Sequence, residues 1–443
     1  MKEKMKKMKK MTFALVILLV LIISCKKEDV VPVDDTVTPA MARDSLYYIM
    51  KEFYYWYNVM PQVTEVTKSN YKDPYELLEA MRYKTLDRWS FIADYDEFIA
   101  QMNGTFVGHG FRIGVDQAGN ARIAMIYNTS PLYASGVRRG WIVKKINSTD
   151  VAPILISGDT QAYNAVIGLG QAGITNIFQF IKPDGTETTI SSTKSTFTLN
   201  TVLVYDTLHL TSGITGHLVF ESFINPSSNE LATAFAYFKA NDIKDLILDL
   251  RYNSGGYLNI AQNLASYIAG DSKQGAVFAK LMYNDKHPEA NSTFAFRTIT
   301  SSIGLSRLVV LTSRSTASAS EAVINGLKPF MNVVTIGDTT DGKPTGMNGW
   351  EIGKKYYMWP VTFKMVNSLN QGEYFDGIYP AKVVMDDITH DFSDREELCL
   401  KEAIHYLQTG SVSTKGVQQP FIRNPQFSDK PEWMNNAFVQ DKN

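Results

Sequence analysis

The chain has 443 residues, of which 44% are hydrophobic and 20% are charged, a composition typical of globular rather than disordered proteins. At about 100 to 200 residues per domain, this length predicts two to four domains. There are 44 lysines and arginines against 45 acidic residues, and this balance excludes the basic excess by which proteins attract nucleic acids. We therefore expect no nucleic-acid partner.

Residues 1–24 are predicted to be a signal peptide. Six lysines lie between Lys2 and Lys10, and an uninterrupted apolar run follows from Phe13 to Ile23, which is the pattern of an export signal. These 11 residues would extend only about 16 Å as a helix, whereas the hydrocarbon core of a bilayer is ~30 Å thick. A resident transmembrane helix is not expected here.

Cys25 ends the stretch LIISC, which resembles a bacterial lipobox. That resemblance implies lipidation of Cys25 and an exported lipoprotein, anchored in the outer membrane and facing the periplasm or the cell surface. A buried or incidental cysteine is the alternative. Residues 25–40 are polar and contain prolines, so they are predicted to be the linker between the lipid and the first fold. With Cys25 acylated, Cys399 would have no partner for an intrachain disulfide.

Residues 41–103 are predicted to form a small helical N-terminal domain. The pair Asp73-Pro74 is typical of a helix start, and the tyrosines and Trp56 recur at helical spacing. Aromatic side chains in this pattern usually pack in a core. A sugar or peptide groove is the alternative, and it would suit a glycan-binding surface lipoprotein.

Residues 104–195 show short apolar segments separated by turns, which predicts a strand-rich domain. The turn Pro183-Asp184-Gly185 lies between two alternating segments and indicates a hairpin. In residues 196–409, apolar strands alternate with helical stretches, which predicts an α/β domain with a parallel sheet. Residues 410–443 are rich in glutamine, asparagine and proline and are predicted to be a poorly packed tail.

Ser318 lies in a predicted turn that links an apolar strand to a helix. Such a turn can present a side-chain oxygen beside free backbone N–H groups at the positive end of the helix. Ser318 and Glu321 also have the spacing of a capping box, in which both residues serve only the helix. At this point both interpretations stand.

Two other segments favour the interpretation in which the Ser318 turn presents its side-chain oxygen beside free N–H groups. Lys343 lies in the glycine-bounded loop GDTTDGKPTG, just after a predicted strand. A third strand ends in DLRYNSGG, where Gly255 and Gly256 close the segment. Paired glycines at a strand end let the backbone approach a ligand and turn its N–H groups toward it.

In this order, the DLR-x-N-x-GG, SASE and GKP segments resemble the motifs of the C-terminal processing (tail-specific) peptidases of family S41. The resemblance covers about residues 80 to 405 and implies a multi-domain α/β protein with a ClpP/crotonase-like catalytic domain. It implies that Ser318 is the nucleophile of a serine endopeptidase that works through an acyl-enzyme. The general base would be Lys343, which stands 25 positions later.

A lysine accepts a proton only when it is neutral, so burial must lower its pKa from about 10.4 toward ~7 to 8. The six histidines show no metal-ligand spacing and no partner motif, and we expect neither a metal nor another cofactor. The resemblance also implies an oxyanion hole formed by the N–H of Ala319 and that of Gly255 or Gly256. It implies an orienting role for Glu321, beside its capping role.

Two positions depart from the family pattern. Met347 stands where many members have a glutamine that could bond the lysine, and Asn348 or Thr345 could replace that partner. Pro329 stands where some members have an aspartate. These departures favour the alternative of a catalytically weak or inactive peptide-binding lipoprotein.

The middle region resembles a PDZ domain in two segments. The segment GHGF runs from Gly108 to Phe111, and SPLYASGV is followed by GWIV at the expected distance. The resemblance implies that Gly108, Gly110 and Phe111 bind the carboxylate of a peptide C-terminus through backbone N–H groups. The expected partners are proteins or peptides with accessible C-termini, and the oligomeric state is not indicated.

Overall fold

The computed structural model describes residues 36–414 and 427–428. The predictions for the signal peptide, Cys25 and the linker up to residue 35 lie outside these residues. From Val37 onward the described residues form one packed unit. Within the described ranges, no helix is long and apolar enough to cross a membrane.

The N-terminal region is mostly helical. Its elements are α1 (Pro39–Phe53), a 3-10 turn (Thr67–Asn70), α2 (Pro74–Met81), β1 (Phe91–Asp94) and α3 (Tyr95–Met102). The predicted helix start is confirmed, because the Asp73 carboxylate accepts a hydrogen bond from the Glu76 N–H at 2.9 Å. Tyr54 and Trp56 are buried in the core, as their spacing predicted.

The middle region is a small β-structure with its own hydrophobic core. Its strands are β2 (Thr105–Gly108), β3 (Phe111–Val115), β4 (Ala121–Ile126), β5 (Ile142–Ile146), β6 (Thr149–Asp150), β7 (Thr175–Ile181), β8 (Glu187–Thr193) and β9 (Ser195–Thr198). Its helices are α4 (Pro131–Ala134), α5 (Ala152–Ser157) and α6 (Thr160–Ile167). The hairpin predicted at Pro183-Asp184-Gly185 is confirmed between β7 and β8. The main sheet has the order β3-β4-β5-β7-β8, with β6 on β5.

The third region contains the parallel sheet that the alternation of strands and helices predicted. Its strands are β10 (Val202–Leu210), β11 (Gly213–Phe220), β12 (Asp245–Asp249), β13 (Val277–Tyr283), β14 (Ser292–Ala295), β15 (Arg307–Thr312), β16 (Asn332–Gly337), β17 (Thr345–Met347), β18 (Trp350–Ile352), β19 (Tyr356–Trp359), β20 (Val361–Val366) and β21 (Lys382–Val383). Its helices are α7 (Ser227–Ala240), α8 (Leu258–Ala269), α9 (Ala319–Leu327) and α10 (Leu398–Thr409), with 3-10 turns at Asp271–Lys273 and Pro288–Ala290.

The main sheet of this region is buried on both faces. Its order is β10-β11-β12-β15-β16-β21, and every pair from β11 to β21 is parallel. Successive side chains of a strand point to opposite faces. Leu246 and Leu248 accordingly join the core with α7, α8 and α9, whereas Ile247 packs with Leu400 of α10 on the other face. The strand ends that carry the motifs therefore meet at one edge.

The sequence patterns did not predict two antiparallel sheets. One has the order β14-β13-β20-β17, and the other has the order β1-β19-β18. In the second sheet Phe91 lies opposite Trp359, so the N-terminal region shares a sheet with the third region. β1 and β19 pair across a large separation in sequence, where no local pattern indicates the partner. β18 and β19 form a hairpin through the short turn 353–355, which was not recognised in the sequence.

The predicted tail, residues 410–443, is described only in part. Gly410 ends α10 with a φ of +76°, and a short strand β22 (Phe427–Ser428) pairs with β3. The backbone of these two residues extends the middle sheet, and the rest of the predicted tail beyond Thr414 lies outside the described residues.

Candidate active site

Ser318 lies at the turn between β15 and α9, in a strained backbone conformation. Its φ is +59° and its ψ is −114°, a combination that costs a non-glycine residue about 1 to 3 kcal/mol. Its side chain is fully buried, and its Oγ has no hydrogen-bond partner within the described residues. The side chain faces the first turn of α9 as in a capping box, but no side-chain cap hydrogen bond forms.

Glu321 connects the two predicted catalytic segments. Its Oε2 accepts hydrogen bonds from the backbone N–H groups of Ser318 and Lys343, both at 2.8 Å. Its Oε1 accepts from the Thr340 hydroxyl at 2.5 Å and from the Gly342 N–H at 2.7 Å. Burial raises the pKa of Glu321 to about 7, against the lowering effect of these hydrogen bonds. One carboxylate thus fixes the backbone of both residues.

Lys343 is fully buried directly before β17. Burial lowers the pKa of its ammonium group to about 7, and the carboxylates of Asp341, Asp87 and Glu321 oppose this shift. The lysine is therefore substantially neutral near neutral pH, which is the state that can accept a proton.

The paired glycines follow β12 and lie against the serine. A Cβ on Gly255 would come within 2.9 Å of the Ser318 Cβ, and a Cβ on Gly256 would come within 2.1 Å of the Phe223 carbonyl oxygen. Both glycines have positive φ, +109° and +135°. No other residue type fits here, because the loop passes so close to the serine turn.

The two glycines differ in the state of their N–H groups. The Gly255 N–H donates to Asn253 Oδ1 at 2.9 Å. Gly256 forms a parallel bridge with Phe223, in which the flanking Gly255 carbonyl and Tyr257 N–H make the hydrogen bonds. In such a bridge the central residue's own N–H points away from the partner strand. Within the described chain, no group accepts from the Gly256 N–H.

The residues considered as replacements for the family glutamine have different environments. Asn348 Oδ1 accepts from the Thr362 hydroxyl at 2.8 Å, and its N–H donates to that same hydroxyl at 3.1 Å. Thr345 is buried two positions after the lysine, and its hydroxyl has no partner among the described residues. Met347 is buried in the core. Of these two candidates, Thr345 is the one whose hydroxyl has no other partner among the described residues.

The N-terminal region contributes contacts that the sequence did not suggest. Trp89 Nε1 donates to Asp341 Oδ2 at 2.9 Å, and the Arg88 guanidinium donates to the Asp341 carbonyl at 2.6 Å. The lysine loop is thereby fastened to a segment more than 250 positions earlier in the chain. Only tertiary structure brings these residues together, because no local pattern links them.

The predicted carboxylate loop lies in the middle region, at the start of β3. Gly110 has a φ of +73°, and a Cβ there would clash with Phe197 and Ser130 at 2.5 Å. The buried His109 ring anchors the loop through contacts with Ser192 Oγ at 3.0 Å and Asn176 Oδ1 at 2.7 Å. Burial lowers the pKa of His109 to about 4, so this histidine is a neutral structural anchor. Gly108 pairs with Ser195 in a separate two-stranded ladder.

Buried ion pairs join the middle region to the third region. Arg139 contacts Asp386 at 2.8 Å and donates to the Tyr252 hydroxyl at 2.6 Å. Arg251 of the DLR segment contacts Asp386 at 2.8 Å and Glu397 at 2.7 Å. These contacts fix the positions of Arg251 and Tyr252, which lie at the start of the loop that contains the paired glycines.

No histidine contacts the Ser318 Oγ within the part of the chain that the structure describes. His217 is buried in β11, and burial lowers its pKa to about 4. Across residues 36–414, no group of three or more His, Cys, Asp or Glu side chains is placed to hold a metal ion. A Ser-His-Asp arrangement is therefore not formed around Ser318.

Two segments of the chain match known protein families. Residues 214–381 match the peptidase family S41 domain, and residues 42–91 match the peptidase S41 N-terminal domain. Among solved structures, an S41 protease from Bacteroides fragilis superimposes with a TM-score of 0.67 at 22% identity, covering 83% of this chain and 97% of the other. A photosystem II D1 C-terminal processing protease gives a TM-score of 0.50 at 16% identity, covering 82% and 97%. The overall fold is thus that of S41 proteases.

Curated relatives agree with this fold. The carboxy-terminal processing protease CtpA of Bacillus subtilis is 26% identical over 258 residues, which are 57% of this chain and 49% of the relative. CtpB of the same organism is 21% identical over 310 residues, 70% of this chain and 61% of the relative. The matches span about half to three fifths of these relatives' lengths. Residues 214–381 therefore carry a peptidase family S41 domain, which confirms the resemblance found in the motifs.

Proposed function

We propose that the chain is a serine endopeptidase in which Ser318 is the nucleophile and Lys343 is the general base. The observation that carries this proposal is the convergence on Glu321, whose Oε2 accepts from the backbone of both residues at 2.8 Å. A buried serine hydroxyl without a partner and a buried lysine with a pKa of about 7 are the two groups that a Ser/Lys mechanism needs.

In the proposed reaction, neutral Lys343 Nζ takes the proton from Ser318 Oγ as the oxygen attacks the substrate carbonyl carbon. The resulting tetrahedral intermediate collapses, the peptide C–N bond breaks, and the lysine returns the proton to the departing amine. An ester between the serine and the substrate acyl group remains. Lysine then takes a proton from a water molecule whose oxygen attacks the ester carbon. It passes that proton to Ser318 Oγ as the ester C–O bond breaks, which releases the acid and restores the enzyme.

The negative oxygen of each intermediate needs preorganised N–H donors. The Ala319 N–H is the first of α9 and has no carbonyl one turn earlier in the helix to accept it. We assign the second donor to Gly256, because the Gly255 N–H is already bonded to Asn253. The positive end of α9 adds to the stabilisation.

The middle region is proposed to recruit substrate tails. β3 follows Gly110 directly, and on its outer side the described chain places only the two-residue strand β22. An extended peptide in the place of β22 could pair with β3 while its carboxylate meets the N–H groups of Gly110 and Phe111. A peptide ending in a free apolar carboxylate should bind, and its amidated twin should bind much more weakly. Equal binding of the two peptides would contradict carboxylate capture.

Export and lipidation at Cys25 complete the proposal. The lysine-rich start, the apolar run and the LIISC segment support an anchored lipoprotein. Cys25→Ser should abolish labelling by a fatty-acid analogue and release the protein from membranes. Wild-type protein that stays soluble without detergent would disprove the anchor.

The proteolytic function is tested with an unfolded protein substrate and a fluorophosphonate probe. Wild-type protein should cleave the substrate and react with the probe, whereas Ser318→Ala should do neither and should keep its fold. Ser315→Ala in the same turn is the control and should retain activity. Substantial cleavage by Ser318→Ala would remove the serine from its role.

The alternative is a peptide-binding lipoprotein with little or no catalysis, which the buried Met347 at the family glutamine position favours. It predicts peptide binding by the wild type without cleavage and without labelling. The same two assays therefore separate the alternatives.

A further inference from the structure

The tail of the chain forms a strand on the middle sheet. In β22, Phe427 lies opposite Ile113 and Ser428 lies opposite Arg112, in antiparallel register. β3 has β4 on its other side, so β22 occupies its free edge. The edge of a sheet presents unpaired N–H and C=O groups that bind another extended segment.

This edge is the one to which we assign substrate tails. Arg112 and Ile113 are the second and third residues of β3, directly after Phe111 and the Gly110 turn. Because the pairing is antiparallel, the direction of β22 leads toward that turn. A substrate whose C-terminal carboxylate meets the loop must run in the same direction.

We propose that the segment around Phe427–Ser428 occupies the substrate-tail edge in cis and competes with substrate C-termini for it. This inference rests on the proposed capture of tails by β3. The tail would act as a threshold, so that only peptides with sufficient affinity for the edge reach the catalytic region.

The tether makes such competition effective. Twelve residues, 415–426, separate Thr414 from Phe427, and they can reach up to about 40 Å at ~3.3 Å per residue. A tether of this length gives an effective concentration on the order of millimolar. A contact too weak to form between separate molecules is therefore well populated within one chain.

The position of the pairing also explains how a substrate could displace the tail. Fifteen residues, 429–443, follow Ser428, so the paired segment is internal and carries no terminal carboxylate. A true C-terminus would pair with the same strand and also place its charge at the loop N–H groups. That additional interaction, worth roughly 1.5 to 3 kcal/mol for a hydrogen bond to a charged group, favours the substrate.

The test uses full-length chain with Ser318→Ala, so that the probe is not cleaved. The probe is a fluorescent decapeptide with a free apolar C-terminus. A chain ending at Thr414 and a Phe427→Pro variant should bind it about 5- to 10-fold more tightly, since an occupied site lowers apparent affinity by the free fraction. Ala437→Pro, outside the pair, is the matched control and should bind like the parent.

Amide hydrogen exchange at Arg112 and Ile113 tests the strand contact independently of any peptide. Hydrogen-bonded and non-hydrogen-bonded pairs alternate along an antiparallel ladder, so the one of these two amides that faces β22 is expected to exchange faster in the shortened chain than in the parent. Equal exchange would overturn the tail contact, even if peptides bind. Faster exchange with unchanged peptide affinity would overturn the competition. If no variant binds the probe while the wild-type protein still cleaves substrates, tail capture and competition fall together and the proposed chemistry stands.

Discussion

The serine turn shows how a single residue can hold strain for a function. Ser318 adopts a φ of +59°, a conformation that is unstrained for glycine and strained for other residues. A structural cap would adopt the extended conformation usual for that position. The strain is retained because Glu321 and the first turn of α9 fix the backbone on both sides of Cα.

This strain predicts a difference between two inactive variants. Ser318→Ala removes the hydroxyl and keeps the strain, whereas Ser318→Gly removes both. The glycine variant should be about 1 kcal/mol more stable than the alanine variant, measured by urea unfolding. The opposite order would show that the conformation at this position is not strained.

Lys343 predicts a pH dependence with a definite sign. Its pKa is lowered to about 7 by burial, and the neutral lysine above that pH is the base. The specificity constant kcat/KM should therefore rise with pH through about 7. Lys343→Met and Lys343→Arg should both lose activity at every pH, because neither accepts a proton. A methionine variant with the wild-type profile would defeat the mechanism.

The lowered pKa of Lys343 also predicts that Lys343→Met is more stable than the wild-type protein. The folded lysine releases its proton near pH 7, and the unfolded one releases it near 10.5, so stability rises with pH across that window and the cost is largest below it. Lys343→Met removes the cost of burying the charge. Its Tm at pH 6 should exceed that of the wild type by several degrees, and the difference should shrink as the pH rises toward 10.

At the scale of elements, the lysine loop is supported by the segment before β1. Asp341 accepts from Trp89 Nε1 at 2.9 Å, and its carboxylate is the first of the charges that raise the pKa of Lys343 against burial. Arg88 acts on that pKa in the opposite direction. The N-terminal region is thus part of the electrostatic environment of the proposed base.

Two substitutions should move the pH profile in opposite directions. Asp341→Asn keeps an acceptor for Trp89 but removes the negative charge, so the rise in kcat/KM should shift to lower pH by roughly half a unit to one unit. Arg88→Gln removes a positive charge and should shift the rise slightly upward. Profiles that move together, or not at all, would exclude this charge effect.

At the scale of the whole molecule, buried ion pairs connect the middle region to the sheet that carries the site. Arg139 is fully buried between Asp386, Tyr252 and the carbonyl groups of Ala124 and His390. Burial raises the pKa of Asp386, but Arg139 and Arg251 together outweigh it, so the net shift is downward. The carboxylate therefore stabilises the fold above about pH 4 and loses this contribution as the pH falls further.

Arg139→Met should therefore destabilise the protein strongly, by about 3 to 5 kcal/mol, because it leaves buried polar groups without a partner. Urea unfolding at pH 7 measures the loss. Arg138→Met is the matched control, since Arg138 stacks on Tyr133 and donates to the carbonyl groups of Tyr133 and Val137, which all lie within the middle region. Equal effects of the two substitutions would contradict the role of the ion pairs.

Local patterns in the sequence were sufficient to predict much of the fold and to find the motifs of the candidate site. Alternating apolar segments and helix starts such as Asp73-Pro74 depend on neighbours a few positions away, so the parallel sheet and its helices could be predicted. The motifs around Ser318, Lys343 and the paired glycines could be found for the same reason. Each depends on a short run of residue types at a turn.

Only the tertiary structure shows the strand pairings and contacts that depend on residues distant in sequence. The pairing of β1 with β19, the Trp89–Asp341 contact and the pairing of Phe427–Ser428 with β3 join residues far apart in the chain, where no local pattern indicates the partner. The proposal of Gly256 rather than Gly255 as an oxyanion donor also depends on the fold, because only the fold shows that the Gly255 N–H donates to Asn253. Burial likewise sets the pKa of Lys343, and burial is a property of the folded surroundings rather than of the sequence segment.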